Sequence, residues 1–383
     1  MHWPGTPVEQ DSSFTPPFCP WPGCSTHRQP ALFRFRSKGC FATRRRRAVP
    51  RFQCLTCRRG FSRQTFATSY YLKRPELLRR AAAGLLAGSA HRQIARSLGC
   101  APSTITRLSA RLGRHGLLLL ARCLRELAGS CEEPVIIDHF ETFEFTQDYP
   151  FGVATAVGAR SWFLYALDPA PHRRAGVVSA IQRKRLSRRP VRHLRGGYSG
   201  STHRLFTALT RLPADGQPLH VVGDGHRAYV RVARRFVDRL HLESHPNPPR
   251  GPRGSPRSRQ AILRDRAMFP VDALHALIRH SMAHHRRETI AFGRRINALM
   301  ERFFLGTAWR NFIKGLSERR PNHATPAMRV GLTDEPWTWR RVLSQRLFFH
   351  RETLPPQWGE LYRRLWSTPI VHPNRRHELV HAF

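Results

Sequence analysis

Residues 134–145 read Pro-Val-Ile-Ile-Asp-His-Phe-Glu-Thr-Phe-Glu-Phe, and this stretch decides the fold. The run Val135–Ile137 is apolar and β-branched, which is typical of a buried strand. The alternation of apolar residues continues through Phe143 and Phe145. We therefore expect a strand here that delivers Asp138.

This strand lies in an acidic segment of a very basic chain. The sequence has 65 Lys and Arg against 25 Asp and Glu, a formal net charge of +40, yet neither Lys nor Arg occurs between Arg125 and Arg160. The acidic residues inside that gap are Glu126, Glu132, Glu133, Asp138, Glu141, Glu144 and Asp148. So basic a protein attracts polyanions such as nucleic acids. Acids concentrated within it indicate a cation that offsets them, and we expect a divalent metal ion.

The elements expected after this strand complete a mixed sheet. They are strands at Phe151–Val157 and Trp162–Leu167, a helix at Thr202–Leu212, a strand at Leu219–Val222, a helix at Tyr229–Phe236 and a long helical region from Val271 to about Lys314. Three meandering strands, a helix, a fourth strand and further helices form the order of a ribonuclease-H-like fold. In that topology the first and fourth strands are neighbours.

This topology predicts a carboxylate site. Asp138 and Asp224, the latter within Gly223-Asp-Gly225, would approach each other despite their distance in sequence. With a third carboxylate from a later helix, two Mg²⁺ ions about 4 Å apart could activate a nucleophile and stabilise the leaving oxygen of a phosphodiester. We expect Glu301 to be that third residue and Glu288 to be its competitor. Alternatively, either one pairs with a neighbouring Arg on a solvated helix face.

Two cysteine pairs near the start of the sequence have the spacing of a zinc site. Two close pairs on tight turns can present four thiolates tetrahedrally to one Zn²⁺, and the expected ligands are Cys19, Cys24, Cys54 and Cys57. Cys40 and His27 are alternatives if the first pair is irregular. Strands at Phe33–Phe35 and Val49–Phe52 would join the pairs, and so small a segment would need the metal to fold. Scattered core cysteines are the other interpretation.

The segment from Pro75 onward is helical in pattern. A first helix ends at Gly88, a second spans His91–Leu98, Gly99 supplies a turn, and Pro102 begins a third. This spacing suits a helix-turn-helix whose last helix enters the major groove. The residues expected to contact DNA combine small hydroxyl groups with Arg and are Arg92, Ser103, Thr104, Thr106 and Arg107. The alternative is an ordinary three-helix packing unit.

In their order, these parts resemble zinc-ribbon insertion-sequence transposases of the DDE type. The residues that carry the resemblance are Cys54-Leu-Thr-Cys57, Gln93–Gly99 with Ser103-Thr104, Ile137-Asp138, Gly223-Asp224-Gly225 and Asn297–Arg302. The resemblance implies Mg²⁺-dependent cleavage and strand transfer at element ends, with double-stranded DNA as partner and Asp138, Asp224 and Glu301 as the metal-binding triad. Because two ends must be held together, a homodimer is expected from this function rather than from any residue.

Two departures from that family leave a second function open. His139 follows Asp138, where relatives often carry another acidic residue, and residues 246–259 form a basic loop rich in Pro, Gly and Arg. The alternative is therefore a non-catalytic DNA-binding protein, either a transcriptional regulator or a degenerate transposase.

The predicted architecture is a multidomain α/β protein. Its expected segments are an N-terminal tail (1–17), a zinc ribbon (18–68), a helical helix-turn-helix domain (74–128), a ribonuclease-H-like mixed-sheet domain (132–320) that includes the basic loop 246–259, and a helical C-terminal extension (321–383).

The sequence contains no pattern typical of several other classes of function. No apolar run approaches the roughly 20 residues of a membrane span, and the first residues show no signal peptide, so we expect a cytoplasmic, nucleoid-associated protein. A Gly-rich nucleotide loop ending in Lys-Ser or Lys-Thr is missing, which argues against ATP use. His280 and His284 have a zinc-chelating spacing, but without a Glu between them core or DNA-facing histidines are expected.

Overall fold

The computed structural model of this protein describes residues 14–43, 46–173, 178–188, 196–249, 251–252, 254–320 and 324–366. The chain divides into two compact units. The first is the described part of Met1–Pro75 together with Leu343–Thr353, and the second is Glu76–Val342 with the described part of Leu354–Phe383. Most of the predicted N-terminal tail and residues 367–383 of the predicted extension lie outside the described residues.

The first unit is built on a small antiparallel sheet. Its strands are β1 (Phe35–Thr43), β2 (Arg46–Cys54) and β3 (Gly60–Ser62), in that spatial order. The predicted strand at Val49–Phe52 lies within β2, whereas the strand predicted at Phe33–Phe35 begins only at Phe35. A short helix, α1 (Ser25–Arg28), precedes them. The core consists of cysteines and aromatic rings, namely Cys19, Cys24, Cys54, Phe33, Phe52, Phe61, Phe66 and Phe348.

The second unit opens with three helices, as the sequence predicts. They are α2 (Leu77–Leu86), α3 (His91–Ser97) and α4 (Pro102–Glu126). Gly88 and Gly99 adopt positive φ angles of 70° and 57°, which glycine does without a steric cost and which ends each of the first two helices. Pro102 stands in the first turn of α4, where its missing N–H is not needed.

A five-stranded mixed sheet forms the centre of the second unit. Its strands are β4 (Val135–Phe143), β5 (Pro150–Gly158), β6 (Leu164–Pro171), β7 (Leu219–Gly223) and β8 (Leu240–Ser244). Their spatial order is β6-β5-β4-β7-β8, with β4, β7 and β8 parallel to one another and β5 antiparallel to both of its neighbours. The sequence predicts the first four strands but not β8. That strand has only five residues, of which only Leu240 is buried, so it lacks a clear apolar pattern.

The remaining helices surround this sheet and its connections. They are α5 (Ala180–Ser187), α6 (Gly197–Leu209), α7 (Arg227–Ala233), α8 (Arg259–Ser281), α9 (Ile296–Phe312), α10 (Pro326–Arg329), α11 (Trp339–Val342) and α12 (Pro356–Tyr362). Helix α6 starts before the predicted Thr202. The long helical region predicted from Val271 is two helices, which are separated by a 3₁₀ turn at Ala283–His285 and an irregular segment.

Helices α4 and α9 pack with their backbones in direct contact. A Cβ atom on Gly113 would lie 2.1 Å from the main-chain oxygen of Glu301, and one on Gly116 would lie 2.4 Å from that of Phe304. Both distances are far below van der Waals contact, so only glycine fits at these two positions.

Part of the predicted C-terminal extension is packed into the second unit. Trp358 on α12 is buried, its ring lies 5.1 Å from that of Phe304, and its Nε1–H donates to the main-chain oxygen of Leu167 at 3.0 Å. Within the described part of the chain, no helix combines the length and apolarity that a membrane span requires.

Candidate active site and metal centre

Asp138 and Asp224 come to neighbouring positions at one edge of the five-stranded sheet. Strands β4 and β7 are parallel with Ile137 opposite Gly223. Asp138 is the next residue of β4, which continues to Phe143, and Asp224 directly follows β7. Burial and, after it, the negative charge of Asp224 raise the pKa of Asp138 to about 7. The structure thus brings together the two carboxylates that the sequence singled out.

The turn after β7 holds Asp224 at this edge. Gly225 has a φ of 77°, which favours glycine. The Asp224 Oδ1 atom accepts a hydrogen bond from the backbone N–H of His226 at 3.0 Å. On the neighbouring strand, Asp138 Oδ1 accepts from the N–H of His139 at 2.7 Å. Backbone donors thereby fix one oxygen of each carboxylate.

A third carboxylate, Asp272, approaches from helix α8. This helix packs on β4, β5 and β7. Burial and the charge of Asp224 raise the pKa of Asp138, and the negative charge of Asp272 raises it further. Asp272 accepts a hydrogen bond from Arg264 on the same helix. Asp272 lies near the start of the helical region predicted from Val271, but no local pattern distinguishes it there from an ordinary acidic residue of a helix.

His275, one turn after Asp272 on α8, faces Asp138. The Thr155 hydroxyl donates to the main-chain oxygen of Asp138 at 3.0 Å and lies 2.9 Å from His275 Nε2. Since that hydroxyl has one proton, His275 must donate from Nε2. Burial, and then the charge of Arg279, lower the pKa of His275 to about 3, so the ring is neutral. Its Nδ1 lone pair therefore points at Asp138 Oδ2, 3.5 Å away.

Glu301, which was predicted as the third carboxylate, has other partners. Its two oxygens accept hydrogen bonds from Arg364 Nε at 2.7 Å and Nη2 at 2.6 Å. Arg114 lies 4.0 Å from the same carboxylate, which is buried. An oxygen pair engaged in this way would have to release a guanidinium before it could bind a metal ion. The position of Glu301 is that of a structural ion pair, and Asp272 is the acid beside Asp138.

The other predicted alternatives also lie elsewhere. Glu288 is exposed in the segment between the 3₁₀ turn and α9. His280 is exposed, whereas His284 and His285 are buried. Among the described residues, none of these histidines belongs to a group able to hold a metal ion.

Aromatic and histidine side chains line the site beside Asp138. The buried His139 ring bonds the Tyr229 hydroxyl at 2.7 Å and the Ser201 hydroxyl at 2.8 Å. The Tyr198 ring lies 4.2 Å from His139 and 4.9 Å from the exposed ring of His226. The non-acidic residue after Asp138 thus anchors α6 and α7 to β4. No local sequence signal identified this role.

Four cysteines in the first unit form a compact cluster. Their sulfur atoms all lie within 4.8 Å of one another, and the cluster is Cys19, Cys24, Cys54 and Cys57. The pairs Cys19–Cys57 and Cys24–Cys54 are 3.7 Å and 3.9 Å apart. Tetrahedral zinc with Zn–S bonds of about 2.3 Å requires sulfurs about 3.8 Å apart. The predicted ligand set is confirmed as a cluster close enough to bind a metal ion such as zinc.

The surroundings act differently on the thiols of the cluster: burial raises the pKa of Cys19 and Cys57, whereas that of Cys54 is lowered. Burial opposes ionisation of Cys54, but backbone N–H groups of Cys57 and Thr56 and the Thr26 hydroxyl outweigh it and lower its pKa to about 6. His27 does not belong to the cluster, and its Nδ1 lies 2.7 Å from the main-chain oxygen of Cys19. Cys40 is exposed and lies outside the cluster.

The carboxylates are less compact than the cysteines. Within the described residues, the cysteine cluster is the one group of three or more such side chains close enough to hold a metal ion. Asp138, Asp224 and Asp272 repel one another, and Asp272 is bonded to Arg264. Asp272 thus has a counterion of its own on α8.

The residues predicted to contact DNA lie on α3 and α4. Arg92, Ser103 and Arg107 are exposed, whereas Thr104 and Thr106 are half-buried. The Thr106 hydroxyl is engaged inside the unit, since it donates to the main-chain oxygen of Pro102 at 3.2 Å and contacts His91 Nδ1 at 3.1 Å. Three of the five predicted side chains are therefore well exposed to solvent.

In comparisons with family models, curated proteins and solved structures, this chain matches none.

Proposed function

We propose that this chain binds double-stranded DNA and cleaves it with two Mg²⁺ ions held by Asp138, Asp224 and Asp272. The observation that carries the proposal is the meeting of these acids. Asp138 lies within β4 just past its pairing with β7, Asp224 directly follows β7, and Asp272 comes from the helix after the last strand. The strand order β6-β5-β4-β7-β8 is the order expected of a ribonuclease-H-like domain.

The chemistry follows from the charge at this edge of the sheet. The raised pKa of Asp138 reflects burial of its carboxyl group and, after it, repulsion by Asp224, and a bound divalent cation would relieve both. Oxygen ligands of this kind suit Mg²⁺, which activates a nucleophile and stabilises the leaving oxygen. His275 Nδ1 and Arg264 flank the carboxylates. Arg264 neutralises Asp272 until a cation replaces it.

Three further features support DNA as the substrate. The formal charge of +40 favours contact with phosphates. A cysteine cluster suited to a zinc ribbon and a three-helix segment with exposed Arg92 and Arg107 accompany the carboxylates, as in a helix-turn-helix reader. Strand transfer at insertion-sequence ends, and the homodimer this would need, are the specific form of this proposal.

The test is cleavage of DNA by the purified chain in Mg²⁺ or Mn²⁺. Substrates are supercoiled plasmid and labelled duplexes taken from the DNA that flanks the coding sequence. Asp138→Asn, Asp224→Asn and Asp272→Asn should each abolish cutting while DNA binding is kept. Glu301→Gln, at equal amounts of folded protein, should cut like the wild type. Loss of cutting in Glu301→Gln but not in Asp272→Asn would reverse the assignment of the third carboxylate.

The second candidate is a DNA-binding protein without catalysis. It is favoured by the open arrangement of the carboxylates and by the bond between Arg264 and Asp272. Titration with Mn²⁺ followed by calorimetry separates the two functions. Heat of binding that disappears in Asp138→Asn supports the enzyme, whereas DNA binding without any Mn²⁺ binding supports the regulator.

A further inference from the structure

A second group of polar side chains is buried away from the carboxylates. It consists of Arg302 on α9, His91 at the start of α3 and His284 in the 3₁₀ turn, and Arg302 and His284 are only 8% and 4% exposed. Four of its nitrogen atoms are buried and have no hydrogen-bond partner among the described residues: Arg302 Nε and Nη1, His91 Nε2 and His284 Nδ1. Buried polar atoms are almost always paired, so this concentration needs an explanation.

These side chains face one another. The His91 and His284 rings are 5.0 Å apart. Burial, followed by the charge of Arg302, lowers the pKa of both rings, to about 3 for His91. The charge of the guanidinium therefore acts on both imidazoles, and burial together with that charge keeps them neutral.

Arg302 brings a positive charge that no nearby side chain neutralises. Burial lowers its pKa to about 10, so it stays protonated at neutral pH. Glu301 is the one acid that favours its charged form, but both Glu301 oxygens are bonded to Arg364. An isolated buried charge is strongly unfavourable unless a counterion accompanies it.

The positions of the protons on the His91 and His284 rings determine which ring nitrogen can donate a hydrogen bond. Thr106 donates to Pro102, so His91 donates from Nδ1 to Thr106 and its Nε2 is an acceptor. His284 has no such constraint on Nδ1 and can carry its proton there. Arg302 Nε–H and Nη1–H and His284 Nδ1–H then form a set of three donors.

We propose that this cluster binds a small monovalent anion of the size of chloride. One negative charge balances the one guanidinium, whereas a divalent oxyanion would leave a net buried charge. The anion would connect α9, the 3₁₀ turn and the start of α3, and so stabilise the packing of the predicted DNA-binding helices. This inference is independent of DNA cleavage.

Bromide is the direct probe, because its anomalous X-ray scattering identifies it without ambiguity. Crystals of the full chain grown or soaked in sodium bromide should show an anomalous difference peak in contact with the Arg302 guanidinium and His284. Water alone at this position, or direct hydrogen bonds between Arg302 and the histidines, would overturn the proposal.

A solution measurement keeps the proposal testable without crystals. The Tm of the chain should rise by about 2–8 °C when sodium gluconate is replaced by sodium chloride or bromide at equal ionic strength, because a ligand that binds only the folded state stabilises it. Arg302→Gln should abolish this halide dependence and His284→Phe should weaken it.

Arg310→Gln is the matched control. Arg310 is another buried arginine of α9, and its Nη1 also has no partner among the described residues, yet it is not part of this cluster. The variant should lose stability but keep the full halide dependence. An equal halide effect in wild type, Arg302→Gln and Arg310→Gln would mean that the anion acts elsewhere.

Discussion

In the proposed site, protons and divalent cations would compete for the carboxyl group of Asp138. Its pKa of about 7, raised by burial and by Asp224, means that the folded protein holds a proton there that the unfolded chain has released above pH 3.8. This group therefore favours folding below pH 3.8, and its contribution is lost as pH rises toward 7. In metal-free buffer, the free energy of unfolding of wild type relative to Asp138→Asn should fall by about 2–3 kcal/mol from pH 5 to pH 8.

Urea unfolding of both proteins at several pH values measures this difference. Adding Mg²⁺ should restore the stability of the wild type at pH 8 but not at pH 5, because a protonated carboxyl binds cations poorly. A difference between the two proteins that does not change with pH would show that Asp138 ionises normally.

The structural role of Glu301 can be tested by its effect on stability. Glu301→Gln leaves Arg364 and Arg114 beside an uncharged amide, and removing one partner of a buried pair costs about 3–5 kcal/mol. Chemical denaturation measures the loss. Glu288→Gln, at an exposed position, should change stability by less than about 0.5 kcal/mol. Unchanged stability in Glu301→Gln would contradict the structural role.

The sequence predicted some of these residues and not others for a physical reason. Asp138, Asp224 and the four cysteines lie within local patterns, a strand end or a short spacing, that carry their own meaning. Asp272 lies in an ordinary helical stretch, and only the packing of α8 on the sheet places it near Asp138. Glu301 was preferred because arginines surround it in sequence, and an arginine 63 residues away proved to be its partner.

Among the elements, the pair α4 and α9 depends on two glycines. Gly113→Ala and Gly116→Ala would force the helix backbones apart, since each new methyl group would meet main-chain atoms that cannot move separately. We expect each to lower the free energy of unfolding by about 1–3 kcal/mol, which exceeds the gain of about 1 kcal/mol in helix propensity.

Gly84→Ala is the control for that experiment. Its new Cβ would lie 3.0 Å from Cγ1 and 3.3 Å from Cδ1 of the Ile94 side chain, rather than within 3 Å of backbone atoms. Thermal unfolding of the three variants should rank Gly84→Ala as the mildest. Equal Tm values for all three would show that α4 and α9 are less closely packed than described.

Element boundaries were predicted well where the pattern is amphipathic and poorly where packing decides. The helices α2, α3 and α4 follow a three- and four-residue periodicity that one face of a helix must have. The starts of α6 and α8 do not show this periodicity. Glycines stand at the start of α6, and a polar, partly exposed turn precedes α8. Their beginnings are fixed by the sheet that they cover.

For the whole molecule, the first unit should depend on zinc. Its core is a small aromatic cluster around the cysteines, and so small a core needs metal binding to fold. The purified chain should contain one zinc ion, and chelation with phenanthroline should unfold the first unit while the helical signal of the second is kept. Cys54→Ser should lose the zinc and Cys40→Ser, at an exposed site, should retain it. Zinc retained by Cys54→Ser would contradict the ligand set.

The charge of the molecule predicts strong salt dependence of DNA binding. Each phosphate that a basic side chain neutralises contributes about −0.9 to the slope of log K against log salt concentration. Arg92→Gln and Arg107→Gln should each reduce that slope by about one if the exposed arginines contact phosphates. Filter binding at 50–300 mM salt measures it, and unchanged slopes would place the DNA on another surface.

The first unit is assembled from two distant stretches of the chain, and this bears on the order in which the protein can fold during synthesis. Phe348 completes the aromatic core, Arg346 N–H donates to the main-chain oxygen of Phe66 at 2.9 Å, and Arg351 bonds that of His27. The first unit therefore cannot be completed during synthesis until the segment Leu343–Thr353 has been translated. Until then its cysteines remain within an unfinished core, so a nascent chain stalled after residue 342 should be far more sensitive to protease in its first 75 residues than a completed one.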